Sequence, residues 1–148
     1  MDIFVLSLEE ALMHEPPRTT YATRLRSSNI SPSDTRFWGR LRNSKRYAHV
    51  HEYEFDDLYP DFNQGGKLIN PDIAGQIVSD FNNGRRECED LLVHCFAGKG
   101  RSPAVAIALN EIFNLGQSTK RMKQIFPAYN DFVYQSLIKA AKSMPDLS

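Results

Sequence analysis

The stretch LLVHCFAGKGRSPAVAIALNEIF, residues 91–113, carries most of the information about the fold. Its first three residues, 91–93, are apolar, and residues 91–94 predict a buried strand. Residues 103–114 predict an apolar helix with a proline in its first turn. Between the two lie Cys95, two glycines and Arg101. In an open α/β sheet, ligands bind where the carboxyl end of a strand meets the N-terminus of the next helix. The sequence therefore predicts a binding site at this junction.

The loop at this junction has the composition of a phosphate-binding site. Gly98 and Gly100 allow a tight turn whose backbone N–H groups point inward, and such a concavity attracts anions. The helix that begins near Arg101 adds the positive end of its dipole, and the guanidinium group matches two phosphoryl oxygens. The same positive field favours a thiolate over a thiol, so we expect Cys95 to act as a nucleophile near neutral pH.

Composition and length are those of an ordinary globular protein. The chain has 148 residues, 41% of them apolar and 24% charged, which predicts one domain over residues 1–148. Apolar runs are too short for a membrane span, and the start, MDIFVLSLEEAL, lacks the basic leader of a signal peptide. A cytoplasmic location is therefore expected. Cys88 and Cys95 lie too close in sequence to staple a small fold, and a reducing compartment keeps both as thiols.

The net charge is zero, but charges are unevenly distributed. Residues 18–46 are strongly basic, and residues 51–90 are mainly acidic. The basic segment has two interpretations, a solvated surface or an electropositive approach for a phosphorylated or nucleic-acid partner. Its basic residues are Arg18, Arg24, Arg26, Arg36, Arg40, Arg42, Lys45 and Arg46.

Strands and helices are predicted to alternate along the chain. Strands are predicted at residues 3–8, 48–55 and 91–94, and helices at 70–84, 103–114, 120–125 and 132–142. Residues 14–46 are predicted to be irregular with short helical turns, and residues 61–68 a loop. This order predicts an α/β fold with a central, mostly parallel sheet of about four to five strands flanked by helices.

The segment HCFAGKGRS, from His94 to Ser102, resembles the signature loop of the cysteine-dependent protein tyrosine and dual-specificity phosphatases. Their pattern is His-Cys, five residues, Arg, then Ser or Thr, with glycine at the position of Gly98. A second segment, NDFVYQSL from Asn130 to Leu137, is similar to the late helix of the dual-specificity group, although the usual glycine before Phe132 is missing. The resemblance covers residues 48–142.

The resemblance implies a role for each residue of the signature. Cys95 would attack phosphorus and form a phosphocysteine, while Arg101 and the loop amides would hold the phosphoryl oxygens. Ser102 would hydrogen-bond to the sulfur, and His94 would orient the loop. No metal or cofactor is implied. The predicted substrate-binding residues are Phe96, Ala97, Gly98, Lys99, Gly100 and Arg101.

The general acid has three candidates. The phosphatase family takes it from an aspartate a little over thirty residues before the cysteine, and Asp56, Asp57 and Asp61 stand there. Spacing favours Asp61, which lies 34 residues before Cys95, whereas Asp57 lies 38 residues before it. Position at the end of the EYEFDD strand favours Asp57, which we prefer, with Asp61 second and Asp56 as a loop anchor.

Several functions are compatible with this sequence. The first is a phosphatase acting on phosphotyrosine in proteins, with phosphoserine and phosphothreonine as further substrates. The second is a phosphoinositide or RNA 5′-phosphatase, because the run from Ala97 to Arg101 resembles the loop of phosphoinositide 3-phosphatases; Phe96 stands where those enzymes carry a second lysine. The third is a non-catalytic phosphate-binding module. The family also leaves open a redox disulfide between Cys88 and Cys95.

Overall fold

The computed structural model describes residues 1–34, 37–42, 44–62, 65–145 and 147. Within these ranges, four strands form one sheet in the order β1-β4-β2-β3, and all neighbouring strands are parallel. The α/β fold with a parallel sheet is thereby confirmed. The strands are β1 (Asp2–Leu6), β2 (Thr20–Arg26), β3 (Tyr47–Glu54) and β4 (Asp90–His94), and the helices are α1 (Leu8–Met13), α2 (Pro71–Gly84), α3 (Arg101–Phe113), α4 (Thr119–Ile125) and α5 (Asp131–Lys142).

The two faces of the sheet have different partners. Side chains alternate along a strand, so residues 91, 93 and 95 join the apolar core formed with α2, α3 and α5. Residues 92 and 94 face the opposite side, as do Ala22 and Arg24 on β2. There the Trp38 ring lies over Arg24 and 5.2 Å from the His94 ring, measured between centroids. The carboxyl end of β4 therefore has an apolar layer on one side and a polar cluster on the other.

The prediction that residues 14–46 are irregular was wrong for β2. Strand β2 is central, pairing with β4 on one side and β3 on the other, and six of its seven residues are buried. Three of the buried residues are polar, Thr20, Thr23 and Arg24. The strand therefore lacks the apolar run or the alternation that marks strands in a sequence. Arg36 of the basic segment and residues 63–64 of the predicted loop lie outside the described residues.

Strand β1 ends two residues earlier than predicted, because Ser7 begins a helix. The Ser7 hydroxyl accepts a hydrogen bond from the Glu10 amide at 3.1 Å, and the Glu10 carboxylate accepts one from the Ser7 amide at 2.9 Å. This reciprocal capping box fixes the N-terminus of α1. A separate hydrogen bond, from the Leu8 amide to the Phe96 carbonyl, places the start of α1 beside the loop that follows β4.

The helices predicted from their caps and apolar spacing are present. Asn70 caps α2 by accepting a hydrogen bond from the Ile73 amide, and Pro71 occupies the first turn. None of the described helices is long and apolar enough to cross a membrane.

Candidate functional site

The Cys95 thiol lies at the end of β4, at the base of a pocket of about 310 Å³. The residue is only 2% exposed. Its Sγ lies 3.2 Å from the Ser102 hydroxyl oxygen, and the Gly98 amide donates a hydrogen bond to it, also at 3.2 Å. Donors directed at sulfur stabilise a thiolate over a thiol. The loop therefore holds the sulfur in one position between a backbone amide and a hydroxyl.

Gly98 gives the loop its shape. Its φ of 73° lies in the left-handed region, and a Cβ atom there would come within 2.7 Å of the Ser7 backbone nitrogen. The loop also packs against α1, because the Leu8 amide donates a hydrogen bond to the Phe96 carbonyl at 3.0 Å. Any side chain at Gly98 would push the loop away from the start of α1.

Arg101 points into the same pocket from the first turn of α3. It is 5% exposed, and its Nη1 donates a hydrogen bond to the Phe55 carbonyl at 2.7 Å. Its Nε is buried and has no hydrogen-bond partner among the described residues. A buried, unpaired donor is costly, and a bound anion that accepts a bond from Nε would remove the cost.

Of the three candidate aspartates, Asp57 lines the pocket with Cys95 and Arg101. A Cβ atom on Gly100 would overlap the Asp57 carboxylate and lie 2.9 Å from its carboxyl carbon, so the glycine makes room for the acid. Asp61 lies in an exposed 3₁₀ turn, Pro60–Phe62, and does not line the pocket.

Asp56 does not line the pocket, and two loops hold its side chain. Its side chain accepts hydrogen bonds from the Ser28 amide at 2.9 Å and from the Lys67 amide at 2.7 Å. Burial alone would raise the pKa of Asp56, but these bonds and the bond from the Ser28 hydroxyl leave it below its usual value. The Asp56 carboxylate therefore ties β3 to the loops that follow β2 and precede α2.

Asn130 is a site residue that the sequence did not single out. It is buried, and its amide Nδ2 donates hydrogen bonds to Asp57 Oδ1 at 2.8 Å and to the Leu58 carbonyl at 3.1 Å. Its backbone amide donates to the Gly100 carbonyl at 3.0 Å, and its Oδ1 caps α5 through the Val133 amide. Asn130 thus connects the aspartate, the loop and the last helix. The sequence signal was its position at the start of the segment NDFVYQSL.

His94 faces away from the pocket, on the opposite side of β4 from Cys95. Its Nδ1 lies 3.1 Å from the Cys95 carbonyl oxygen, and its Nε2 accepts a hydrogen bond from Arg24 Nε at 2.8 Å. Burial is the main cause that lowers the pKa of His94 to about 4, and the charges of Arg24 and Arg101 lower it further. The hydrogen bond to Cys95 acts in the opposite direction and raises the pKa. The sequence did not predict Arg24 as part of the site, because it lies 70 residues away from His94 along the chain.

The pocket wall combines apolar and basic groups. Phe96 is 59% exposed beside the cysteine, Ile30 lines the pocket from the segment after β2, and the exposed Lys99 completes the rim. This wall can contact an apolar group that carries a phosphate while the loop binds the phosphate itself.

Most of the described basic residues of residues 18–46 have partners within the chain. Carboxylates form salt bridges with Arg18, Arg24, Arg26 and Arg42. Arg46 donates hydrogen bonds to two backbone carbonyls. These contacts favour a structural role for the segment over an electropositive approach for a nucleic acid.

Cys88 lies at the far end of β4 from Cys95. Strand β4 separates them by about 16 Å of extended chain, whereas the Cα atoms of a disulfide lie within about 7 Å of each other. Burial, and to a smaller extent the charge of Glu87, raises the pKa of Cys88 to about 11, so its thiol stays protonated. Cys88 and Cys95 are therefore too far apart to form a redox disulfide in the folded protein. No group of three or more His, Cys, Asp or Glu side chains placed to hold a metal ion occurs among the described residues.

Comparison with known proteins places the fold among phosphatases. No protein-family model matches the chain, and no curated protein matches it. Among solved structures, human DUSP28 is similar with 17% identity and a TM-score of 0.56, covering 99% of this chain and 95% of that chain. The active form of Tk-PTP is similar with 17% identity and a TM-score of 0.52, covering 85% and 81%. PTPMT1 is similar with 15% identity and a TM-score of 0.51, covering 95% and 90%. The chain has a dual-specificity phosphatase-like fold.

Proposed function

We propose that this protein is a cysteine-dependent phosphomonoester hydrolase that acts on phosphotyrosine in proteins through a phosphocysteine intermediate. One observation carries the proposal: the Cys95 thiol, the unpaired Nε of Arg101 and the Asp57 carboxylate surround one pocket. These groups are a nucleophile, an anion-binding donor and a proton donor. A non-catalytic binding module would need only the second of them.

In the first step, the Cys95 thiolate attacks phosphorus while the loop amides and Arg101 bind the non-bridging oxygens. A sulfur–phosphorus bond forms as the bond to the substrate oxygen breaks, and the proton of Asp57 passes to that leaving oxygen. Positioned proton donors of this kind typically contribute about 10² to 10⁴ in rate. Asn130 supports this role, because its bond to Oδ1 leaves Oδ2 facing Gly100 and the loop.

In the second step, water attacks the phosphocysteine and Asp57 accepts a proton from it. The sulfur–phosphorus bond breaks, and inorganic phosphate leaves. The Ser102 hydroxyl, 3.2 Å from Sγ, stabilises the departing thiolate by donating a hydrogen bond. No metal or cofactor enters either step. A reducing compartment such as the cytoplasm would keep the thiolate active.

The pocket wall supports an aromatic phosphate ester as substrate. The exposed Phe96 ring and Ile30 form an apolar wall beside the nucleophile, which suits a phenyl ring. Phosphoserine and phosphothreonine reach the same loop with fewer apolar contacts. We therefore propose that they are poorer substrates.

The test compares Cys95→Ser with Cys88→Ser on an aryl phosphate in the presence of EDTA. Cys95→Ser should abolish turnover while keeping vanadate binding, because the loop amides and Arg101 remain. Cys88→Ser is the matched control and should retain wild-type turnover. Unchanged turnover in Cys95→Ser, or loss of wild-type turnover in EDTA, would refute the mechanism.

A phosphoinositide or RNA 5′ end is the second candidate substrate class, favoured by Lys99 on the pocket rim. Initial rates on a phosphotyrosyl peptide, a short-chain phosphatidylinositol 3-phosphate and a 5′-phosphorylated RNA separate the classes. We expect the peptide to give the highest kcat/KM. A higher value for the lipid or the RNA would reassign the substrate.

A further inference from the structure

A buried arginine stands directly behind the candidate phosphate loop, in a place where an apolar residue would cost less. Arg24 is 3% exposed and lies on β2 opposite His94 of β4 and Glu52 of β3. Burying a guanidinium group requires partners for its donors. Its Nη1 contacts Glu52 at 3.1 Å, and its Nη2 contacts the Trp38 and Gly39 carbonyls at 3.4 and 3.2 Å.

The Glu52 carboxylate fixes the orientation of this guanidinium. Its Oε1 accepts one hydrogen bond from Arg24 Nη1 and another, also 3.1 Å long, from Trp38 Nε1. The Trp38 ring covers the guanidinium carbon at 4.3 Å from the ring centroid. Three hydrogen bonds and the Trp38 ring hold the outer side of the guanidinium, and its Nε–H points to His94 Nε2 at 2.8 Å.

This contact determines where His94 carries its proton. An arginine guanidinium has donors only and stays charged, so the ring nitrogen that faces it must be an acceptor. His94 Nε2 is therefore unprotonated, and the single ring proton of a neutral imidazole resides on Nδ1. From there it is donated to the Cys95 carbonyl oxygen, 3.1 Å away.

We propose that Arg24 is a positioning residue: it fixes His94 as the neutral Nδ1–H tautomer, whose hydrogen bond to the Cys95 carbonyl sets the orientation of the nucleophile-bearing peptide. The effect on catalysis rests on the proposed phosphatase function, whereas the tautomer does not. Among the described residues, the charged or titratable groups that act on His94 are Arg24 from β2, Arg101 from α3 and Cys95 in the loop. The residue of β1 in register with His94 is the apolar Leu6.

The tautomer can be read directly by long-range ¹H–¹⁵N NMR of protein labelled at histidine. The chain has four histidines, and the His94 signals are assigned by their loss in His94→Asn. We expect wild-type His94 to be neutral with its proton on Nδ1 throughout pH 6 to 8. A proton on Nε2, or a charged His94 at pH 6, would overturn the proposal, and this measurement needs no substitution of Arg24.

The Arg24→Met variant tests whether Arg24 fixes the tautomer of His94. It should allow His94 to sample both tautomers and to become protonated nearer the ordinary histidine range. It should lower kcat on an aryl phosphate about tenfold, the effect of one lost hydrogen bond, with little change in KM. Trp38→Phe is the matched control, because it removes the indole bond to Glu52 and leaves the Arg24 contact with His94. It should keep the Nδ1–H tautomer.

The outcomes separate this proposal from the proposed function. If Arg24→Met keeps the Nδ1–H tautomer and wild-type kcat, Arg24 is not a positioning residue. If wild-type protein hydrolyses no phosphate ester but shows the Nδ1–H tautomer, and Arg24→Met loses it, the role of Arg24 stands and the phosphatase function fails.

Discussion

Acidification should destabilise the protein through His94. Its pKa lies near 4 in the folded chain because the ring is buried beside two arginines, whereas an unfolded histidine titrates near 6.5. The unfolded state therefore binds a proton that the folded state excludes. Stability is complete above pH 6.5 and falls as the pH drops from 6.5 to 4.

The size of the effect follows from the two pKa values. At 1.36 kcal/mol per unit, the full difference is about 3 kcal/mol, and about 2 kcal/mol of it should be lost by pH 5. That is a large part of the roughly 5 to 15 kcal/mol that stabilises a typical domain. Asp56 contributes no loss in this window, because its depressed pKa matters only below its ordinary value of 3.8.

The assay is urea unfolding of wild-type and His94→Asn protein at pH 7 and pH 5, followed by circular dichroism. Asparagine cannot titrate, so the variant should lack about 2 kcal/mol of the pH-dependent loss that wild type shows. Burial also lowers the pKa of His14, so His14→Asn is the control. This variant should keep the loss of about 2 kcal/mol between pH 7 and pH 5 that His94 causes. Equal pH dependence in wild type and His94→Asn would refute the reasoning.

Five substitutions test the pocket, two of them as controls. Asp57→Asn should lower kcat/KM, which reports the first step, at least tenfold on a poor leaving group and much less on a good one. Asp61→Asn should stay near wild type in the same assays, and the reverse pattern would make Asp61 the general acid. Lys99→Ala should reduce turnover equally on singly and multiply phosphorylated substrates, because the exposed ammonium only raises the local potential; a selective loss on multiply phosphorylated substrates would favour the lipid class. Gly100→Ala should displace the Asp57 carboxylate and lower turnover on a poor leaving group about tenfold, with no further loss when combined with Asp57→Asn. Gly75→Ala is the control, because the added methyl group meets only the end of the Met144 side chain, and it should leave turnover unchanged. Additive losses when Gly100→Ala is combined with Asp57→Asn would contradict the proposed contact between Gly100 and Asp57.

The parts of the fold that could be predicted are those encoded locally. The β4–loop–α3 unit was predicted because the apolar strand, the glycines and the helix start are adjacent in sequence, and α2 was predicted from its cap and apolar spacing. Strand β2 was missed because its polar residues find partners far along the chain. Arg24, for example, bonds to His94, 70 residues away, and to Glu52, 28 residues away.

The general acid likewise could not be identified from local sequence signals. Two local arguments, spacing and strand position, gave opposite answers for Asp61 and Asp57. The structure adds two long-range contacts, the space left by Gly100 and the hydrogen bond from Asn130, 73 residues away. Neither contact has a local sequence signal, so only the three-dimensional arrangement distinguishes the two aspartates.

The phosphocysteine itself is the most direct test of the proposed chemistry. The Asp57→Asn variant should form it with an aryl phosphate that has a good leaving group, and should hydrolyse it slowly because no carboxylate accepts the proton from water. Rapid denaturation during turnover, followed by digestion and mass spectrometry, should find one phosphoryl group on the peptide that contains Cys95. A phosphoryl group on another side chain, or continued turnover with none on Cys95, would contradict the mechanism.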